Sequence, residues 1–338
     1  MGRTRNFFIL VSTICALILV GNAGAASAFG QTNDGLKVVK VGVLKFGTVN
    51  WELDTIKRRG LDLKHGIDLE VTGVVGKNSA AIALQAGKVD VIVTDFIWVS
   101  RQRNMGADYA FVPHSLAVGG LMAPRDSGIN SIADLRGKTL GIAGGPVDKS
   151  WLIFRAFGRM ELEEDLADVV KAKFGAPPLL NELLKKGDVD AVLNFWHYNA
   201  RLRAQGMKEV ISVSEILPRL GVQVPPPFLG WVFHEEWASK NQEAVVGFLR
   251  ASLEAKEVLR TDDEAWEMLK ERMSVNDDEA TFLQLRDDYR AGIVTRYGPE
   301  DIAAAQKIFE FLAEIGGKRL VGDSKYLAAG TFWRGFSF

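Results

Sequence analysis

Leu84-Gln85-Ala86-Gly87-Lys88-Val89-Asp90-Val91-Ile92-Val93-Thr94-Asp95 returns about 100 residues later as Leu184-Lys185-Lys186-Gly187-Asp188-Val189-Asp190-Ala191-Val192-Leu193-Asn194-Phe195. Val41-Gly42-Val43-Leu44, running on to Trp51, returns at nearly the same offset as Leu140-Gly141-Ile142-Ala143, running on to Trp151. In each copy a helix closes on a glycine suited to the left-handed position, and a short link feeds an apolar run that reads as a buried strand. Two α/β units follow from the repeat. Carboxyl ends of strands line the ligand crevice in open α/β sheets, so Thr94-Asp95-Phe96-Ile97-Trp98 and Asn194-Phe195-Trp196-His197-Tyr198 become equivalent walls of a cleft. The competing arrangement is one continuous sheet with these aromatics as ordinary core.

Outward from the repeat, residues 1–28 carry Arg3 and Arg5, an apolar stretch from Phe7 to Val20, and Ala26-Ser27-Ala28, the pattern of a cleavable secretory signal. The apolar stretch is too short to prefer a transmembrane span. Cys15, the single cysteine of the chain, lies within it, so the mature protein is expected to have no thiol, disulfide or cysteine metal ligand. Without the leader, Lys+Arg falls from 41 to 39 against 42 Asp+Glu, a net charge of −3 that makes nucleic acid an unsuitable partner. Some 310 mature residues exceed what one core usually organises, in agreement with two units. Export, the missing thiol and near-neutral charge point to a periplasmic protein.

The first unit reads as a strand from Val38 to Leu44, a loop Gly47-Thr48-Val49-Asn50, a helix from Trp51 to about His65, a strand from Ile67 to Val75, a helix Ala80–Ala86 capped by Asn78-Ser79, and a strand from Val89 to Thr94. Strands alternating with helices imply mainly parallel pairing. Ser131 to Ala143 opens the second unit with a capped turn and a strand, and Pro177-Pro178 suit the first turn of the helix ending near Lys186. Pro225-Pro226-Pro227 cannot lie in a helix or central strand and reads as a hinge, after which Phe228 to Phe233 returns the chain to the first lobe. The expected division is 1–28 signal peptide, 37–122 plus 228–338 lobe 1, 123–222 lobe 2 and 223–227 return hinge. The rest is helical and is expected only to buttress lobe 1. Its acidic clusters, Asp262-Asp263-Glu264 and Asp277-Asp278-Glu279, precede apolar-periodic helices and read as caps, and no Asp-x-Asp-x-Asp-Gly calcium loop is present.

Ser131 to Gly145, the two Gly-x-Val-Asp strand entries, the leader and the hinge together resemble the substrate-binding proteins of ABC transporters of the NMT1/SsuA/TauA-like group. The resemblance covers roughly Val38 to Trp237. It implies an α/β, two-lobed periplasmic binding protein type II clamshell, each lobe a doubly wound, mainly parallel sheet. It further implies a monomer that closes on a small solute, takes no cofactor, and serves a membrane permease and, through it, an ATPase. Members bind sulfonates, taurine, nitrate, or pyrimidine and thiamine precursors, so the cargo does not carry over.

Four loops should converge on the cleft. From lobe 1 come Phe46, Thr48, Asn50 and Trp51, then Asn78 and Ser79, then Thr94, Asp95 and Trp98. From lobe 2 come Gly144, Gly145, Asp148, Lys149 and Ser150, with Asn194, Trp196 and His197. Trp51, Trp98, Trp151 and Trp196 could sandwich a planar or methyl-bearing ligand. Asp95 suits an amine or ring N–H, while Lys149 and His197 suit an anion. Gly144-Gly145 lets backbone N–H groups approach a ligand but lacks a nucleotide-loop ending.

Two other readings stay open. Glu52, Asp54, Asp95 and Asp148 could hold a hard cation or metal chelate on the same fold, although Glu52 and Asp54 equally suit a helix first turn. A pyrimidine-synthesising enzyme of the NMT1/Thi5 type would use His197 or His65, but the leader opposes an intracellular role. Gly-x-Ser-x-Gly, His-Glu-x-x-His and Gly-x-Gly-x-x-Gly signatures are all absent from the sequence.

Overall fold

The computed structural model describes residues 35–338, so the expected leader lies outside the described residues. In chain order the elements are β1 (Lys37–Leu44), α1 (Val49–Arg58), α2 (Leu61–Lys64), β2 (Ile67–Val74), α3 (Lys77–Gln85), β3 (Val91–Asp95), α4 (Phe96–Asn104), β4 (Tyr109–Ser115) and β5 (Gly120–Ala123). Next come β6 (Thr139–Ala143), α5 (Lys149–Glu161), α6 (Leu166–Val169), β7 (Lys171–Gly175), α7 (Pro177–Lys186), β8 (Ala191–Asn194), α8 (Trp196–Ala204), β9 (Lys208–Ser212), α9 (Val213–Arg219) and β10 (Leu229–His234). A helical tail follows: α10 (Glu235–Lys240), α11 (Gln242–Thr261), α12 (Asp263–Glu267), α13 (Lys270–Met273), α14 (Glu279–Ala291) and α15 (Pro299–Val321).

Two five-stranded sheets form, ordered β2-β1-β3-β10-β4 and β7-β6-β8-β5-β9. The orders are equivalent, strand for strand. In each sheet three strands run parallel, and the fourth is antiparallel to both of its neighbours. That antiparallel strand is exchanged between the halves: β5 precedes the rest of its sheet in the chain, and β10 returns to the first sheet after the second is complete. Two lobes connected by two crossovers result.

The repeated Gly-x-Val-Asp has a physical reason. Gly87 (φ 62°) and Gly187 (φ 78°) take the left-handed conformation that ends α3 and α7. Asp90 then ties β3 to β1, accepting Lys40 N–H at 2.8 Å and donating its own N–H to Lys40 O at 2.7 Å. Asp190 does the same to Thr139 of β6, at 2.7 and 2.9 Å. The motif therefore pins the entry of each central strand to its parallel neighbour.

Three sequence expectations shift. β5 pairs with β8 and β9, so the first crossover is the stretch 116–119, ahead of the boundary expected at 122/123. The glycine pair there allows it: a Cβ on Gly119 or Gly120 would fall 1.8 Å from Asn194 O or 2.9 Å from Ile211 O. The helix expected from Trp51 to His65 breaks at Gly60 (φ 62°) into α1 and α2. The helix α3 starts at Lys77 with Gly76 as its cap residue, so Asn78 and Ser79 lie within its first turn and do not cap it.

The tail differs most. It was expected to buttress lobe 1 alone, yet α14 packs along α8 and α15 along α5, both in lobe 2, while α15 also packs on α4 of lobe 1. Apolar stripes on two sides of these helices explain it. Phe282, Leu285 and Tyr289 of α14 share one buried cluster with Trp51 of lobe 1 and Ala200 of lobe 2. Ile308, Phe309 and Leu312 of α15 share another with Phe96 of lobe 1 and Leu152 of lobe 2. The acidic clusters cap as expected: Asp262 accepts Glu264 N–H at 2.9 Å, and Asp278 accepts Thr281 N–H at 3.0 Å. Asp288 is different, pairing with Arg203 across the tail–lobe 2 contact.

Candidate functional site

The carboxyl ends of β1 and β3 face those of β6 and β8, and between them lies a cavity of about 200 Å³. Its walls are mostly apolar: Val43, Val49 and Val93 from lobe 1, Ile153, Phe195, Trp196 and Val213 from lobe 2, and Ala117, Val118 and Phe228 from the crossovers. Polar groups enter at its ends, with Thr48 and His197 at one and Lys77, Asp95, Asp148, Lys149 and Ser150 at the other. A wider mouth of about 740 Å³ continues past Lys77, Asp95, Asp148 and Lys149 to Arg101 and Arg319.

One ion pair crosses from lobe to lobe at the neck between cavity and mouth. Lys149 Nζ donates to Asp95 Oδ2 at 2.6 Å. Helix capping fixes both partners. Asp95 caps α4 by accepting Trp98 N–H at 2.8 Å, and Lys149 opens α5, which Asp148 caps by accepting Ser150 N–H at 3.0 Å. Burial would raise the Asp95 pKa, but the charges of Lys149 and Lys77 outweigh it and hold the carboxyl below its usual range. Burial would lower Lys149, and Asp95 holds it above. Asp148 is pushed up by burial against the same lysines.

By contrast, α1, α3 and α8 begin without a side-chain cap. Asn50 and Trp51 N–H of α1 bond back to Gly47 O and Thr48 O, and Tyr198 N–H of α8 to Phe195 O, so the N–H groups left open beside the cavity are those of Val49, Trp196 and His197, where helix dipoles favour negative charge. The first turns of α1 and α8 both line the cavity, through Thr48 and Val49 on one side and Trp196 and His197 on the other. An anionic oxygen can be received between them.

His197 Nδ1 is buried with no hydrogen-bond partner among the described residues. Burial and the nearby Arg201 charge pull its pKa down to about 3. His114, buried beside Lys256, is lowered for the same two kinds of reason. A histidine depressed in the folded state contributes stability that is fully present above its unfolded pKa of about 6.5 and is lost as pH falls toward the folded value. Melting temperature is therefore expected to fall from pH 6.5 to 4.5, and His197→Gln to flatten that fall; calorimetry across this range checks it.

The remaining expected residues divide by position. Asn78, Thr94, Trp98, Gly144 and Gly145 line the mouth, where Trp98 packs on Tyr109 with centroids 5.1 Å apart. Phe46 is 91% exposed at the rim and reaches only a side pocket. Four residues are not brought to the cavity. Asn50 holds the β1–α1 turn, donating to Leu44 O and Gly47 O, both at 2.8 Å. Asn194 is consumed inside lobe 2, donating to Pro177 O and Asn181 Oδ1 and accepting Phe195 N–H. Trp51 is buried edge-on against Trp196 and Trp266, with both centroids at 5.9 Å, and Ser79 lines neither cavity nor mouth. Trp151 is core, against Phe174.

Of the four carboxylates weighed for a metal, Asp95 and Asp148 share the neck with Lys77 and Lys149, and the other two lie elsewhere. Glu52 lies in the core on Lys256, and Asp54 pairs with Arg272 at 2.7 Å. Among the described residues no three His, Cys, Asp or Glu side chains gather as a metal site. Sequence reasoning missed Lys77, Arg101 and Arg319 and the apolar walls; only the position of Lys77 at the start of α3 could have signalled it.

Residues 55–265, more than half of the chain, match the family described as NMT1/THI5 like. The chain belongs to this family. Its two-lobed fold is similar to the periplasmic aliphatic sulphonate binding protein SsuA from Escherichia coli, at 18% identity over 88% of this chain and 98% of that one, with a TM-score of 0.69. It is similar also to the alkanesulfonate-binding protein SsuA from Xanthomonas axonopodis pv. citri bound to MOPS, at 14% identity over 88% and 98%, with a TM-score of 0.67. The desulfurization enzyme DSZB shares the fold at 14% identity over 87% and 97%, with a TM-score of 0.59. No curated protein sequence matches the chain. The family's fold is thus shared by binding proteins and an enzyme, and function has to be argued from the cavity.

Proposed function

We propose that this family member is the periplasmic solute-binding component of an ABC importer, which captures a small organic anion between its lobes and hands it to a permease. The observation that carries this reading is the interlobe cavity closed by the Asp95–Lys149 pair: one residue from each lobe meets across the neck, so closure and enclosure of a solute are one event. The apolar walls suit an aliphatic or planar body, since a cavity of about 150 Å³ lined by apolar side chains takes benzene. The uncapped starts of α1 and α8 suit a sulfonate or similar oxyanion group at one end of the cavity, and Lys149 adds positive charge at the other. Two relatives of the same fold bind sulfonates by name, which supports this class over neutral pyrimidines.

The side chains lend support to binding over nucleophilic catalysis. Nucleophilic catalysis needs a nucleophile within hydrogen-bond reach of a base. Neither Thr48 nor Ser150 hydroxyl bonds to His197 among the described residues, and the single cysteine is Cys15, within the expected leader. Among the described residues no helix is long and apolar enough to cross a membrane.

A thermal-shift screen of taurine, alkane- and benzenesulfonates, nitrate and pyrimidines tests the reading. A solute at 100 times its Kd adds about 2.7 kcal/mol to the folded state. A sulfonate is expected to raise the melting point in proportion to the logarithm of its concentration, and Lys149→Gln to weaken it at least tenfold. A pyrimidine response unaffected by Lys149→Gln would instead assign a neutral cargo.

A further inference from the structure

A second pocket of about 540 Å³ lies beyond His197, where lobe 1, lobe 2 and the tail meet. It shares only Gly47, Thr48 and His197 with the solute cavity, and its character is opposite. Lys45 and Arg58 enter from lobe 1, Arg201 from α8 and Arg272 from α13, facing the carboxylates of Asp54 and Glu271. Asp54 is taken up by Arg272, at 2.7 and 3.1 Å. Among the described residues Lys45, Arg58 and Arg201 have no ion-pair partner, which leaves three cations against Glu271.

Arg201 is the telling member. Its guanidinium is half-buried and donates only to a neutral group, Met273 O at 2.7 Å. Asp278 acts on it through space, but its carboxylate caps α14 at Thr281 N–H. A partly desolvated guanidinium without a carboxylate calls for a counter-charge from outside the chain. The adjoining backbone is also unusual: Ser274, which ends α13 and lines the pocket, has φ 57° without being glycine.

We infer that this junction is a second anion site, separate from the solute cavity, which takes a free tetrahedral oxyanion such as sulfate or phosphate between Arg201 and Arg58. The bound ion joins Arg58 of lobe 1 to Arg201 of lobe 2, so it favours the closed arrangement, and a cavity solute and the ion raise one another's affinity.

Calorimetric titration of the purified protein with inorganic sulfate and phosphate, at ionic strength held constant with chloride, tests the inference. One saturable site is expected, weakened at least tenfold in Arg58→Gln and in Arg201→Gln and by much less in Lys149→Gln, which bears on the ion only through lobe closure. Arg58 is exposed, so its variant keeps the test intact if loss of the Arg201–Met273 contact disturbs folding. Absence of saturable binding overturns the inference. So does binding that Lys149→Gln abolishes while Arg58→Gln does not, which would place the ion in the cavity mouth. Neither result bears on whether an organic solute binds the cavity.

Discussion

Lys256→Met is expected to destabilise the protein by about 3–5 kcal/mol, because it leaves Glu52 charged and buried without its counter-ion. Lys256 on α11 donates to Glu52 Oε2 on α1 at 2.5 Å, and both side chains are almost wholly buried. The rest of the network depends on the same carboxylate: Ser252 Oγ donates to its other oxygen at 2.5 Å, and Tyr289 OH donates to Oε2 at 3.2 Å. Trp231 Nε1 in turn donates to Ser252 Oγ at 3.0 Å. Methionine fills similar space, so the loss measures charge more than volume. Removing both charges, as Glu52→Gln with Lys256→Met, should recover most of the stability, since a buried pair is worth far less as a whole than either half is missed alone. Urea unfolding of the four proteins in this cycle reads it. A single variant as stable as the parent would mean that water reaches the pair.

The second large effect is at the first crossover. Gly119→Ala places a Cβ 1.8 Å from Asn194 O and 3.2 Å from Phe195 Cα, backbone atoms that cannot step aside as a side-chain tip could. The crossover must move, and it is paired in place, with Gly119 O accepting Val213 N–H at 3.0 Å and Gly120 opposite Asn194. A cost of about 1–3 kcal/mol is expected from overpacking alone. Solute binding should suffer more than stability does, because Gly119 lines the cavity between two other walls, Val118 and Val213. Gly76→Ala is the control: that position has extended backbone and open space around it, so solute binding should not change and stability should fall by at most about 1 kcal/mol, the cost of a poorer helix N-cap. Equal behaviour of the two variants would refute the role given to the crossover.

Much of the fold was legible because the same local physics is written twice. Gly87 with Asp90 and Gly187 with Asp190 end a helix and pin a strand within four residues, a short-range signal that survives in one sequence. Tail packing was not legible. Whether α14 and α15 lean on one lobe or two depends on side chains such as Tyr289 and Leu312 meeting partners in lobe 2 that lie far from them in the sequence. The charged neck was readable, since Asp95 and Asp148 stand at helix starts after strands. The cavity walls were not, because Val93, Ile153 and Phe228 carry the same pattern as core. Asn50, Asn194 and Trp51 misled for the converse reason: each stands at a strand end or helix start, but backbone carbonyls or other aromatics had already claimed it.

The central claim is that the space between the lobes is where solute binds. Calorimetric titration of the best sulfonate from the thermal screen into the parent protein and Val93→Phe tests it most directly, because Val93 faces the cavity from β3 without belonging to the charged neck. One solute per chain is expected for the parent, with at least a tenfold loss, about 1.4 kcal/mol, in the filled variant at unchanged melting temperature. Equal affinity in both proteins would place the solute elsewhere and contradict the account.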